Sequence, residues 1–356
     1  MLRNFVVTAF IRILPLVLLS YPTFAADLSA DRACLSQCHG QMAHQVQING
    51  KSPSYVDVAT LRSSVHQQMA CLDCHRDITT VPHSEVIAPV RCVGCHYKGN
   101  PRHAPGGEEY KDYVESVHAQ VRQDGKKRPK CTDCHGTHNI LSPRDEQSPI
   151  YKMHIPETCG QCHAAIYKEY TQTIHGIALM WDRVLDAPSC VDCHGVHRIL
   201  SPKDPRSRVH PTHVSQTCAH CHEAVEIVGK YGISTRRVAT YEESYHGLAN
   251  KYGVRTVANC STCHGVHNIL PSINPASSIH PNNLPKTCGQ ANCHSNAVQT
   301  FVLGPIHLGV AKPPDIVRFF QTGYTVLIVL TIGGMLLHNI LDYIAARRRN
   351  RNHVNP

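Results

Sequence analysis

The chain is short of the side chains that usually fill a protein interior. It has one Trp and six Phe in 356 residues. Before residue 315 no long stretch carries a helical or strand period, and Pro, Gly and Ser recur throughout. These absences exclude a fold built on long amphipathic helices or a regular sheet. The fold class expected is mainly α and irregular, with short helices and loops wrapped around something other than side chains. A flat apolar macrocycle would serve. The sequence also lacks an unpaired cysteine: all 18 Cys fall into short pairs followed at once by His. That spacing rejects the disulfide framework which an even Cys count in an exported chain would first suggest.

A surplus of one charge is mostly lacking too. The formal net charge is +9, but Arg3, Arg12, Arg347, Arg348, Arg349, Arg351 and Asp342 sit near the two ends, and setting them aside leaves +4. This is no nucleic-acid footprint, and no nucleic-acid partner is expected.

Seven segments read C-x-x-C-H: Cys71, Cys74 and His75; Cys92, Cys95 and His96; Cys131, Cys134 and His135; Cys159, Cys162 and His163; Cys190, Cys193 and His194; Cys218, Cys221 and His222; Cys260, Cys263 and His264. Two thiols about one helical turn apart can reach the two vinyl groups on one edge of a porphyrin. The His that follows then lies under the iron as proximal ligand. Zinc and redox sites also use C-x-x-C, but seven copies each ending in His leave those alternatives little room. Two segments stretch the pattern: Cys34, Cys38 and His39 with three intervening residues, and Cys288, Cys293 and His294 with four. Counted as attachment sites they bring the total to nine covalent haems c. The alternatives are a structural disulfide or an unused motif.

The chain repeats internally. KCTDCHGTHNILSP…PETCGQCH, SCVDCHGVHRILSP…SQTCAHCH and NCSTCHGVHNILPS…PKTCGQANCH align, each with two attachment motifs, and a degenerate copy precedes them. An isolated anchor His stands before each module and after the last, at His66, His118, His175, His246 and His307. A second His lies three residues beyond the proximal one, at His138, His197 and His267. It is too close to its own proximal His to cap the same haem, but it can reach a neighbouring one. With His83 these make nine distal ligands, and bis-histidine ligation throughout is expected. His44 and His103 compete with His83 for the N-terminal haems, and Met42 and Met69 leave a His/Met exception open there. His154, His210, His213 and His280 occupy slots not filled in every copy and read as propionate or solvent contacts. His220, between two thiols, reads as a surface residue.

Residues 1–25 read as a secretory signal, with Arg3 ahead of an apolar stretch and Thr23 and Ala25 at the cleavage positions, the alternative being a retained anchor. Residues 26–312 form the exported nine-haem domain. Residues 313–346 read as a transmembrane helix, uncharged from Phe319 to Leu337, and residues 347–356 as a basic tail. The positive-inside rule puts the tail in the cytoplasm and the haem domain in the periplasm of an inner membrane. His338 and Asp342 share one face of this helix. His338 could ligate a shared haem b or line a quinone site, or the pair could snorkel toward the headgroups. Gly333 and Gly334 would let another helix approach.

From Cys34 to His307 the chain resembles the multihaem cytochrome c family with doubled C-x-x-C-H modules. With its C-terminal helix it also looks like the nine-haem domain of inner-membrane quinol-oxidising cytochromes. In those, a multi-helix b-type cytochrome takes electrons from quinol. This chain has one helix, so the resemblance implies a separate polytopic b-type cytochrome or other quinol-oxidising membrane subunit as partner. Periplasmic redox proteins would take the electrons onward. The reading is an electron conduit rather than a stand-alone enzyme. A terminal reductase of the nitrite, hydroxylamine or tetrathionate type is the competing class. It would need an open iron, and no C-x-x-C-K occurs to mark one. A filament cytochrome is a third possibility, which the membrane helix counts against.

Overall fold

A computed structural model of the chain describes residues 34–40, 55–80, 83–84, 86–101, 104, 106–120, 127–290, 292–303, 307 and 315–354. The expected signal segment, Met42, His44 and His103 lie outside these residues. The described chain is helical and irregular, and no strand occurs in it. In order the α-helices are α1 (Val58–Ser63), α2 (Cys71–Cys74), α3 (Glu109–Glu115), α4 (Cys131–His135), α5 (Ile155–Gly160), α6 (Ala164–Tyr170), α7 (Ile174–Met180), α8 (Cys190–His194), α9 (Val214–His222), α10 (Val225–Val228), α11 (Arg236–Glu242), α12 (Tyr245–Lys251), α13 (Cys260–His264), α14 (Leu284–Cys288) and α15 (Asp315–Val354). Before α15 none exceeds nine residues, too short to stand alone, so tertiary contacts must hold them.

Two compact units divide the chain, one of residues 1–110 and 129–151, the other of residues 111–128 and 152–356. The buried side chains described are mostly small and polar. Leu141, Leu179, Leu200, Val228, Val238 and Val302 are the larger apolar ones, against Ser64, Ser116, Ser148, Thr173, Ser189, Ser207, Thr240, Asn250, Asn259 and Ser277. Each buried hydroxyl closes a loop. Ser148, Ser207 and Ser277 donate to the carbonyls of Leu141, Leu200 and Leu270 at 3.4, 3.3 and 3.2 Å, at matching places in the three full modules.

Helix α15 stands apart from this packing. Residues 315–349 are long and apolar enough to cross a membrane, with none of the apolar window buried. At 1.5 Å per residue that length is about 50 Å, more than the roughly 30 Å hydrocarbon core of a bilayer.

Candidate haem sites

The first motif of each module is a single helical turn that caps itself. In α2, α4 and α8 the aspartate two residues after the first Cys accepts from the backbone N–H that precedes the turn: Ala70 to Asp73 at 3.0 Å, Lys130 to Asp133 at 2.6 Å and Ser189 to Asp192 at 2.7 Å. In α13 Thr262 does this for Asn259 at 3.2 Å. The side chain binds an otherwise orphaned donor, and the carboxylate also suits the positive end of the turn. The second motifs arrive differently, with Cys159, Cys218 and Cys288 towards the ends of α5, α9 and α14.

The backbone N–H of the motif His closes the turn on the carbonyl of the first Cys. This bond is 2.9 Å for His75, His96 and His163, and His294 makes it to Cys288 at 3.0 Å despite two extra residues. The lengthened loop is absorbed by bonds from Gly289 to Pro285 and Cys293 to Gln290. Leu35–His39 is a π-helical turn. Its wider spacing keeps Cys34 and Cys38 on one side although three residues separate them.

After the first motif the chain must turn sharply so that a second His can leave. Gly136, Gly195 and Gly265 do this at φ of 80°, 83° and 87° with extended ψ, a region open essentially to glycine alone. The anchor segments dock one module ahead. Ser64 and Ser116 donate through Oγ to the carbonyls of Ile140 and Ile199 at 3.1 and 3.0 Å. The backbone N–H of Val65, Val117 and Ile174 reaches Ile140, Ile199 and Ile269 at 2.8, 2.9 and 3.1 Å.

These supports bring imidazole rings together in pairs, each joining one motif His to one His outside the motifs. In the first unit the centroid separations are 5.9 Å for His39–His83, 6.0 Å for His66–His96 and 6.3 Å for His75–His138. In the second they are 6.2 Å for His118–His163 and His175–His222, 6.0 Å for His194–His267, 6.1 Å for His246–His294 and 6.3 Å for His264–His307. His135 in the first unit and His197 in the second complete the nine motif and nine other histidines.

A metal held by two imidazoles at about 2 Å each, with each ring centre about 1 Å behind its nitrogen, puts the centres about 6 Å apart. The pairs therefore fit an iron between them, with a porphyrin supplying the other donors. A protein-only zinc site fits poorly, because among the described residues no three His, Cys, Asp or Glu side chains converge. Burial favours the neutral, ligating form of the rings: it pushes His175 down to about 4 and lowers His66, His138, His194, His222, His246, His264 and His307. At His307 the Nδ1 donates to the carbonyl of Arg237 at 2.9 Å, leaving Nε2 to face His264.

The motif thiols also neighbour one another in sequence order. In the first unit the thiols of Cys92 and Cys131 touch, with Cys74 nearby. In the second, Cys159 touches Cys190 and Cys218 touches Cys260, while Cys193 lies near Cys218, and Cys263 near Cys288 and Cys293. From Cys71 on in the first unit, and throughout the second, attachment sites adjacent along the chain are thus adjacent in space.

Several bystander histidines have structural work. His213 donates from Nδ1 to the carbonyl of Ser207 at 2.9 Å, and Asn283, its counterpart in the third module, donates to Ser277 at 2.8 Å. His220 lines an open cleft of about 260 Å³ with Arg206, Arg208, His213, Gln216 and Thr217. His338 and Asp342 lie 3.6 Å apart on α15, both exposed. Gly334, Met335 and Asn339 join His338 in lining a shallow groove, and a Cβ on Gly333 or Gly334 would meet nothing within 4 Å.

Other supporting residues had no reading in the sequence. Tyr170 and Tyr241, each five residues before an anchor His, donate to the carbonyls of Pro188 and Ala258 at 2.6 and 3.0 Å. They tie the anchor segment to the residue two places before Cys190 or Cys260, and burial pushes both phenols up. Their equal spacing from the anchor was the available signal.

No curated protein and no solved structure matches the chain. Residues 114–195 match the family model described as cytochrome c7 and related cytochrome c. That stretch runs from the anchor at His118 through the motifs of His135, His163 and His194, and its match supports a multihaem c-type cytochrome that carries covalent haem and transfers electrons.

Proposed function

We propose that the chain is a membrane-anchored electron conduit with nine haem c sites, linking the quinone pool to periplasmic or extracellular acceptors. The observation that carries this reading is the set of ring pairs at 5.9–6.3 Å, each uniting a motif His with one outside the motifs. Bound haem would supply reversible one-electron Fe(III)/Fe(II) chemistry. The residues would do the rest: paired thiols would hold each group by its edge, and paired imidazoles would ligate the iron and keep the potential low. The order of touching thiols supports a relay that follows the sequence within each unit.

Ring pairs at eight of the nine motifs would leave no open position for substrate there, which favours a conduit over a terminal reductase. The length and apolarity of α15 support a membrane anchor, with residues 1–25 as signal and the tail cytoplasmic. The groove at Gly334, His338 and Asn339 is where a b-type or other quinol-oxidising subunit would dock, with His338 facing a shared haem b or quinone. Haem quantification and electron paramagnetic resonance of the oxidised protein test the core of the reading. Nine haems with a wholly low-spin spectrum are expected. Fewer haems, or a stoichiometric high-spin signal, would overturn it. Isolation of the membrane complex with no b-type subunit and no quinol-dependent reduction would remove the quinone assignment.

A further inference from the structure

His210 is left over from the ligand set and is among the most buried polar residues, at 4% exposure. Its Nδ1 is an acceptor: the backbone N–H of Thr212 points at it at 3.4 Å and the Thr212 hydroxyl lies 2.7 Å away. The proton of the neutral ring therefore sits on Nε2. That atom is buried and has no hydrogen-bond partner among the described residues. A buried N–H donor without an acceptor is costly, so the site calls for an acceptor that the described residues do not supply.

The surroundings specify its charge. The charged and titratable groups around the ring are Arg255, His213 and Asp204. Asp204 is already committed, with Oδ1 accepting from the backbone N–H and Nε of Arg206 and Oδ2 from its Nη2. His213 is tied to Ser207. What remains is a neutral N–H with the exposed Arg255 cation in the same neighbourhood, a combination that suits an anion. The loop is fixed in place rather than adaptable. Asn250 of α12 and Asn259, which caps α13, both donate to the Pro211 carbonyl at 3.1 Å. Those two helices carry His246 and the Cys260–His264 motif, so His210 lies against two attachment sites. In the third module His280 keeps the same tautomer, with its Nδ1 accepting from Asn282 at 3.3 Å.

We infer that His210 is a propionate-binding residue, donating from Nε2 to a carboxylate of a haem held beside α12 and α13, with Arg255 as its cationic neighbour. This rests on the haem reading above. A haem carboxylate is the one acceptor that covalent attachment would deliver to this interior. A donor that draws charge from a propionate weakens its stabilisation of Fe(III) relative to Fe(II), so the contact would raise that haem's potential.

The test is a spectroelectrochemical titration of the haem-loaded full-length protein, with His210→Phe and His210→Gln beside the native chain. His210→Phe should move one component of the titration to lower potential, and His210→Gln, which keeps an N–H near the Nε2 position, should restore it. A titration of His210→Phe superimposable on the native one, at equal haem content and melting temperature, would overturn the assignment. So would equal shifts in both variants, which would mark a packing effect. If His210→Phe does not accumulate, proton NMR of the fully reduced native protein decides. A slowly exchanging ring N–H, lost in His210→Gln, supports the bond, and a rapidly exchanging one indicates a buried water instead. Haem content measured on the same samples separates failure of the attachment reading from failure of this one.

Discussion

Gly176→Ala should both destabilise the protein and disturb one iron ligand, because the glycine after the anchor His is a point of backbone contact. Gly176 lies in α7 immediately after His175 and is buried. A Cβ there would fall 2.8 Å from the carbonyl carbon of Tyr170 and 3.0 Å from Cα of Thr171, and closer still to the Tyr170 oxygen. Ordinary contact begins at 3.4 Å, so relieving the clash with the Tyr170 oxygen requires the last turn of α6 and α7 to separate by more than an ångström. Metal–ligand distances tolerate about 0.2 Å. Overpacking costs about 1–3 kcal/mol, and alanine's better helix propensity returns about 1 kcal/mol of it. The obstruction is backbone, which cannot rotate away, so a net loss of about 2 kcal/mol is expected, or several degrees in melting temperature. The His175–His222 pair should loosen, and a high-spin signal from one haem should appear in the oxidised spectrum. Gly247→Ala repeats the geometry beside His246, where Glu242 Cα would lie 2.6 Å from the new carbon. Gly229→Ala is the control, since its Cβ meets nothing nearer than 3.6 Å. If Gly176→Ala melts like the native protein and stays wholly low-spin, the close approach or the ligand role of His175 is wrong.

Asp192→Ala removes the acceptor for both the Ser189 N–H and its hydroxyl, at 2.7 and 2.8 Å, and should cost about 1 kcal/mol in denaturant unfolding. Ser116→Ala should cost about 1 kcal/mol or more: the Ile199 carbonyl keeps its bond from Val117 at 2.9 Å, but the His118 N–H loses its bond to Ser116 Oγ at 3.1 Å. Replacing both Cys34 and Cys38, or both Cys288 and Cys293, by Ala should lower the intact mass by one haem in each case. An unchanged haem count would show that the stretched motif is unused. Ending the chain before Asp315 should move the haem-bearing protein from membrane to soluble fractions, and continued membrane association would remove α15 as the anchor.

The attachment motifs, the module repeat and the long C-terminal helix were legible because each rests on spacing within a few residues or on an uninterrupted apolar run. Pairing was not, because the two rings of a pair stand far apart in sequence. The ring pairs follow a rule that spacing alone could not choose. Anchors reach forward, with His118 to His163, His175 to His222 and His246 to His294. Loop histidines reach back, with His138 to His75 and His267 to His194. The hydroxyl and phenol contacts were hidden for a related reason. Ser116, Thr173 and Tyr170 act on backbone or through it, and a carbonyl such as that of Ile199 leaves no mark in the sequence. His213 shows where the repeat does inform: the slot accepts Asn283 because both side chains need only donate to one serine carbonyl.

Forward and backward pairing together explain why so short a set of helices can hold its shape. Each anchor ring meets the second motif of its own module, while the first motifs at His75 and His194 take their ring partner from the module that follows. In the second unit the Cys190–His194 turn depends on His267 from the following module, while Val117, next to the anchor His118, docks on the carbonyl of Ile199 just beyond that turn. Local helix propensity contributes little in segments of four to nine residues, and the apolar side chains buried are few. Stability must therefore draw on contacts that span modules, such as the Ser64 and Ser116 bonds to Ile140 and Ile199. The same interleaving keeps successive attachment sites close together, so the feature that holds the fold is also the one that shortens the path for electrons.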